Sequence, residues 1–276
     1  MHPFVHLLGL QFPSYGLMVI VGVLISFSVM LFLCMKKHID ITEQLYFTAF
    51  IILFTILGAK LLYQFQNLPQ LWTYRDTIFH SWQSFLDYLG SGFVFYGGLI
   101  GGCVGAVCYS RYFKVNAIDV AQNFATIIPL FHCFGRIGCF LAGCCYGISY
   151  SGPFSVTYQQ SLAAPNHIPF FPVQLLEAGI NFILFLILFA FDRKLSKPLQ
   201  NFGLYAILYG IERFFLEFLR GDQARGSFMQ LSTSQWISIL MIIPVGVYMF
   251  FNASENNKIV KLLLNNRTSE TSIRQS

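Results

Sequence analysis

The run at 201–222, NFGLYAILYGIERFFLEFLRGD, decides how this chain must be read. It is long and apolar enough to cross a bilayer, yet it carries Arg213, Glu217 and Arg220. A charge inside a span costs at least about 2.5–3.5 kcal/mol on insertion scales, so such a residue is kept for a reason. The intervals between the three place them on one face of a helix. Tyr205 and Tyr209 continue that face inward. Two readings follow. Arg213 and Glu217 form a bridge that only fixes helix packing, or the face is the polar wall of a cavity that opens outward. Arg220, near the span end, has the further option of snorkelling to the interface.

Composition agrees with a bilayer. The 276 residues are 55% hydrophobic, 17% aromatic and 11% charged, against about 25% charged in soluble domains. Mean hydropathy is +0.61. The expected fold is all-α: a polytopic integral membrane protein of about seven transmembrane helices. A span needs about 20 mostly apolar residues. The candidates are 14–35, 45–66, 91–110, 116–135, 172–191, 202–220 and 235–251. Residues 1–251 are expected to form a single transmembrane domain, and 252–276 a polar, disordered cytoplasmic tail. The N-terminus lacks the basic region and cleavage site of a signal peptide, so the first apolar stretch is read as a retained span.

Lysine and arginine set the orientation. The loops after spans one, three, five and seven hold eleven of the 17 basic residues; those after spans two, four and six hold Arg75, Arg136, Arg220 and Arg225. The N-terminus is therefore expected outside and the C-terminus in the cytoplasm. The net charge of +5 belongs to cytoplasmic loops and does not call for nucleic acid.

The stretch HCFGRIGCFLAGCCYG, 132–147, then places Arg136 at the outer side of the membrane, at the end of span four. Gly135, Gly138, Gly143 and Gly147 free the backbone to turn and to present N–H groups to an anion. Arginine prefers phosphate because its flat fork donates two hydrogen bonds together. With Arg213 and Arg220 on the same side, the segment reads as a phosphate site at lipid headgroup depth. A metal is the competing reading, from His132, Cys133, Cys139, Cys144 and Cys145. Structural zinc usually shows C-x₂₋₄-C pairs, and no second pair exists, so no metal and no cofactor is expected. A disulfide from Cys139 to Cys144 or Cys145 suits an oxidising face. Cys133 reads as a small buried thiol.

Other buried charges need partners. Glu177 lies one turn into FPVQLLEAG (171–179) and is read as a supporting carboxylate; Lys60 has the option of pairing with one. In FYGGLIGGCVGA (95–106), glycines recur every four residues and form ridges that let helices approach closely. Tyr96 starts that ridge and has the place of an interfacial anchor.

Together, SYGLMVIVG (14–22), LGAKLLY (57–63), YGGLIGG (96–102), GRIGCFLAGCCYG (135–147), FPVQLLEAG (171–179) and YGIERFFLEFLRGD (209–222) resemble the prolipoprotein diacylglyceryl transferase family, over nearly the whole chain. The resemblance implies a divergent member, with seven spans in the bacterial inner membrane. It implies an enzyme that moves diacylglyceryl from phosphatidylglycerol to the thiol of a lipobox cysteine, the first step of lipoprotein maturation. The implied partners are phosphatidylglycerol, prolipoprotein signal peptides and membrane lipid. Carried over, Arg136, Arg213 and Tyr96 are the catalytic residues. Arg136, Tyr15, Gly98, Gly138, Cys139, Gly147, Glu217 and Arg220 bind substrate. This chain has Tyr96, Cys139, Cys144, Lys60 and Ile148 where the family commonly has His, Asn, Glu, Arg and Arg. The alternatives are a related phospholipid-dependent transferase with another acceptor, or a non-enzymatic lipid-binding or transport protein.

Overall fold

The computed structural model describes residues 3–7, 10–90, 92–192, 200–221 and 227–249. The tail expected at 252–276 and Arg225 lie outside them. The long helices are α1 (Ser14–Lys37), α2 (Ile41–Gln66), α6 (Phe95–Phe113), α7 (Ala117–Ala142), α8 (Val173–Phe191), α9 (Gln200–Leu216) and α10 (Thr233–Met249). By length and composition, α1, α2, the Asn123–Ala142 part of α7, and α8 suit a membrane crossing; α10 is apolar but shorter. Three short helices, α3 (Leu68–Thr73), α4 (Arg75–Ile78) and α5 (Trp82–Gly90), join α2 to α6.

The fold is mostly helical, as expected, with three small antiparallel ribbons added. These pair β1 (Phe4–Leu7) with β2 (Leu10–Pro13), β3 (Val156–Thr157) with β4 (Pro169–Phe170), and β5 (Ser227–Phe228) with β6 (Leu231–Ser232). The chain divides into two units, one of Met1–Met30 with Phe124–Ser276 and one of Leu31–Asn123.

In the Leu31–Asn123 unit, α2 packs on α6 through the glycine ridges. A Cβ at Gly101 would collide with the Phe54 carbonyl oxygen and one at Gly97 with that of Gly58. Gly98 and Gly102 lie against Thr55. Backbone-to-backbone approach of this kind is what small residues permit in lipid. Asp40 caps α2, its carboxylate accepting from the Thr42 N–H at 2.8 Å. Asn123 ties the start of the unit to its end. It donates to Gln44 at 3.1 Å and accepts from Lys37 at 2.9 Å. Lys60 donates to the Gly92 carbonyl at 3.0 Å, and its ammonium stands 4.3 Å from the Phe93 ring centroid. Tyr96 is 42% exposed, in the first turn of α6.

The other unit differs from expectation at α7. Span four was expected to end at 135, but the helix runs to Ala142 and contains Arg136. Gly135 and Gly138 do not stop it, because a glycine inside a helix weakens it only by about 1 kcal/mol. What stops it is Gly143, in the left-handed region at φ +71. Gly138 instead makes room: a Cβ there would stand 3.1 Å from the Tyr15 ring. The N–H groups near Arg136 are therefore spent inside a helix and do not form the anion-binding turn that the glycines suggested.

Candidate functional site

α7 and α8 each project one charge inward, and the two meet. Arg136 Nη2 lies 2.8 Å from Glu177 Oε1, and Glu177 is 1% exposed. Arg136 Nε also donates to His132 Nε2 at 3.1 Å, one helical turn back. That bond makes the His132 Nε2 an acceptor and puts any ring proton on Nδ1. His132 Nε2 is 3.8 Å from the same Glu177 oxygen. The other oxygen of Glu177 faces Arg220 Nη1 at 4.0 Å. One buried carboxylate thus stands between two guanidinium groups.

Arg220 is not where helical phase would put it. α9 ends at Leu216, Glu217–Leu219 form a 3₁₀ turn, and Arg220 is extended. It makes a β-bridge with Gly147. The bridge is backed by Ile148 N–H to Leu219 O, Gly221 N–H to Tyr146 O and Phe171 N–H to Ile148 O, each 3.0 Å. Gly147 has to be glycine here, because a Cβ would strike the Phe171 carbonyl oxygen. The snorkelling option for Arg220 is overturned: its side chain is 3% exposed and held inward by this backbone bridge.

Arg213 is buried on α9 and pairs with Glu217 at 2.5 Å and with Ser234 Oγ of α10 at 3.0 Å. Its Nη1 is buried with no hydrogen-bond acceptor among the described residues. His132, Tyr209 and Glu212 each lie within electrostatic reach of both Arg136 and Arg213. The two arginines therefore line one polar region. Tyr209 stacks on Tyr205 at 5.6 Å and stands 5.4 Å from the His132 ring, so the inward aromatic face expected of this helix is present. In these pairs three guanidinium groups meet two carboxylates, and Glu212, held by Asn181, is a third carboxylate beside them.

Several contributors were not singled out from sequence. Asn181 Nδ2 donates to Glu212 Oε1 and to the Glu177 carbonyl, both at 2.9 Å, and so ties α8 to α9 beside the charged cluster. His132 was weighed only as a metal ligand. An Asn four residues after a buried Glu was the available signal, since it falls on the same helical face.

The expected substrate-binding residues gather around this cluster in part. Tyr15 lies within electrostatic reach of Arg136 and of Cys139, Cys144 and Cys145. Gly138 packs on Tyr15, Gly147 aims Arg220, and Glu217 holds Arg213. Tyr96 and Gly98 belong to the other unit. The seven cysteines are free thiols, the three of the 139–145 segment included, so of the options open for that segment the structure has thiols and no disulfide. Beyond the helices, Tyr158 is buried and accepts from Gln174 Nε2 at 3.1 Å. Burial pushes its phenol above the ordinary value, and the Gln174 bond offsets part of that.

A mostly helical protein with apolar helices long enough to cross a membrane, and with arginines buried beside carboxylates, defines a class: an integral membrane protein with an internal cluster of charge. The chain belongs within that class to a known family, since the family described as prolipoprotein diacylglyceryl transferase matches residues 3–251. Its members are transferases, named for an enzyme activity. A Clostridium tetani protein named phosphatidylglycerol–prolipoprotein diacylglyceryl transferase is 36% identical over 245 residues, covering 88% of this chain and 94% of the relative. A Clostridium perfringens protein with the same name and the suffix 2 is 35% identical over 237 residues, 85% and 89% of the two chains. One from Bacteroides fragilis, also of that name, is 28% identical over 263 residues, 89% and 91%.

Proposed function

We propose that this chain transfers diacylglyceryl from phosphatidylglycerol to the cysteine thiol of a lipobox in a prolipoprotein signal peptide. The reaction forms a bond from the thiolate sulfur to the glyceryl carbon that carries the phosphate ester. The carbon–oxygen bond breaks, its electron pair stays on the phosphate, and glycerol phosphate leaves. Thiolate is the nucleophile, so the thiol proton must first be given up. The leaving phosphate gains negative charge, which preorganised donors in a dry site stabilise strongly.

Arg136 and Arg213 are the residues for that task. The observation that carries this reading is their shared neighbourhood of His132, Tyr209 and Glu212, with the Arg213 Nη1 donor still unspent among the described residues. Glu177 and Glu217 hold the two forks in place, and Arg220 adds charge on the far side of Glu177. Tyr15, Gly138, Cys139 and Gly147 line the lipid's approach, and Tyr96 and Gly98 keep the roles that the family resemblance gives them. In this reading residues 1–251 act as one catalytic domain of seven spans, with the N-terminus outside and the C-terminus in the cytoplasm. The bias of lysine and arginine supports that orientation.

The test is transfer in vesicles from radiolabelled phosphatidylglycerol to a lipobox peptide, with product mass read directly. Arg136→Gln and Arg213→Gln are each expected to lower the rate by about 10²–10³ with normal insertion. Near-normal transfer by Arg136→Gln would refute its role. A different product mass would point to another donor or acceptor.

A further inference from the structure

Three thiols that the proposed chemistry does not use as thiols come together at the end of α7. Cys139 lies on its last turns and is buried; Cys144 and Cys145 follow the helix and are half-buried. Spacing alone argued against a metal, because these residues do not form the usual pairs. The backbone overrides the spacing. Gly143 adopts φ +71, Cys144 N–H bonds back to the Cys139 carbonyl at 3.1 Å, and Cys145 is itself left-handed at φ +54. This double reversal brings the sulfurs of Cys139, Cys144 and Cys145 within 4.8 Å of one another.

The turn is held from several sides. Leu162 and Ala164 donate to the carbonyls of Ala142 and Gly143 at 2.9 Å, and Gln174 donates to that of Cys144 at 2.8 Å. A left-handed cysteine costs of order 1–3 kcal/mol and persists only where its surroundings over-determine it. The strain has an evident product, since Cys145 is what completes the triangle.

We infer that Cys139, Cys144 and Cys145 form a three-thiolate site for a thiophilic d¹⁰ cation, Zn²⁺ above all. Zinc binds thiolate at about 2.3 Å, which sets tetrahedral sulfurs roughly 3.8 Å apart. The sulfurs, within 4.8 Å of one another, need approach by no more than about 1 Å to reach that spacing. On binding, three S–H bonds break, three protons leave to solvent, and three Zn–S bonds form. The product carries one net negative charge. Arg220 lies beside Cys145, and Arg136 lies within electrostatic reach of Cys139 and Cys145, so that charge is compensated where it arises. The inference stands on this geometry and not on the transferase reading.

The experiment uses the full-length protein in detergent, stripped with a chelator and titrated with Zn²⁺ against a chromophoric competitor. One zinc per chain is expected, and Cd²⁺ in its place should give an ultraviolet sulfur-to-metal charge-transfer band. Cys139→Ser, Cys144→Ser and Cys145→Ser should each weaken binding at least about tenfold, while Cys103→Ser and Cys133→Ser leave it unchanged. Wild-type protein supplies a readout that needs no variant. Zinc should protect three thiols from maleimide, mapped by mass spectrometry to these positions. Unchanged affinity in all three variants would overturn the site. So would a wild-type chain that takes up no zinc, or one isolated with two of the three sulfurs already joined as a disulfide.

Discussion

Glu177→Gln tests the charged cluster at its centre. The carboxylate is 1% exposed, with Arg136 at 2.8 Å and Arg220 at 4.0 Å. Removing one member of a buried ion pair costs about 3–5 kcal/mol, because the remaining charge is left uncompensated. Glutamine keeps an oxygen that accepts from Arg136, so the lower end, about 3 kcal/mol, is expected. For a chain of this size each kcal/mol moves the midpoint by about 2–4 °C, giving a fall of about 6–12 °C. Thermal unfolding in detergent, followed by tryptophan fluorescence, reads it directly. Anionic lipid should then recover more of the loss than zwitterionic lipid, because a phosphate can supply the missing charge. A drop below about 2 °C, or equal recovery by both lipids, would refute the view that Glu177 neutralises arginines that otherwise seek an anion.

Further outcomes follow from single positions. Gly143→Ala should lower stability by about 1–3 kcal/mol in the same melt, since a Cβ there meets Ser161 and the backbone is left-handed. Gly101→Val should separate α2 from α6 and cost about 1–3 kcal/mol, read as lost yield and a lower midpoint, because its side chain would meet the Phe54 carbonyl. Tyr158 has a phenol raised by burial, so its contribution is fully present below the ordinary tyrosine value and is lost as pH rises through the higher folded one. The stability difference between wild type and Tyr158→Phe should therefore shrink or reverse from about pH 10 upward.

Much of the helical layout was legible because apolar length and glycine periodicity are local signals. The ridge at Gly97 and Gly101 predicted close packing, and the packing is there. The Arg213–Glu217 spacing offered a bridge as one of its two readings, and the pair is formed. What was not legible depends on distant chain. Gly135 and Gly138 looked like a turn, yet a helix tolerates them, so only the left-handed Gly143 marks the true end. Arg220 takes its aim from a backbone bridge to Gly147, which no helical spacing encodes. Asn181 and Glu212 matter through each other, and the three clustered sulfurs depend on the sign of two φ angles.

Arg136 sits within α7, and the carboxylate that neutralises it arrives only with α8. During biogenesis the first of these segments would emerge from the ribosome with an uncompensated cation in a hydrophobic stretch, an expensive passenger for lipid alone. Retention of α7 by the insertion machinery until its successor has been synthesised, and release of the two as a hairpin, would spare that cost. Assembly of the cluster is in this way written into the order of translation.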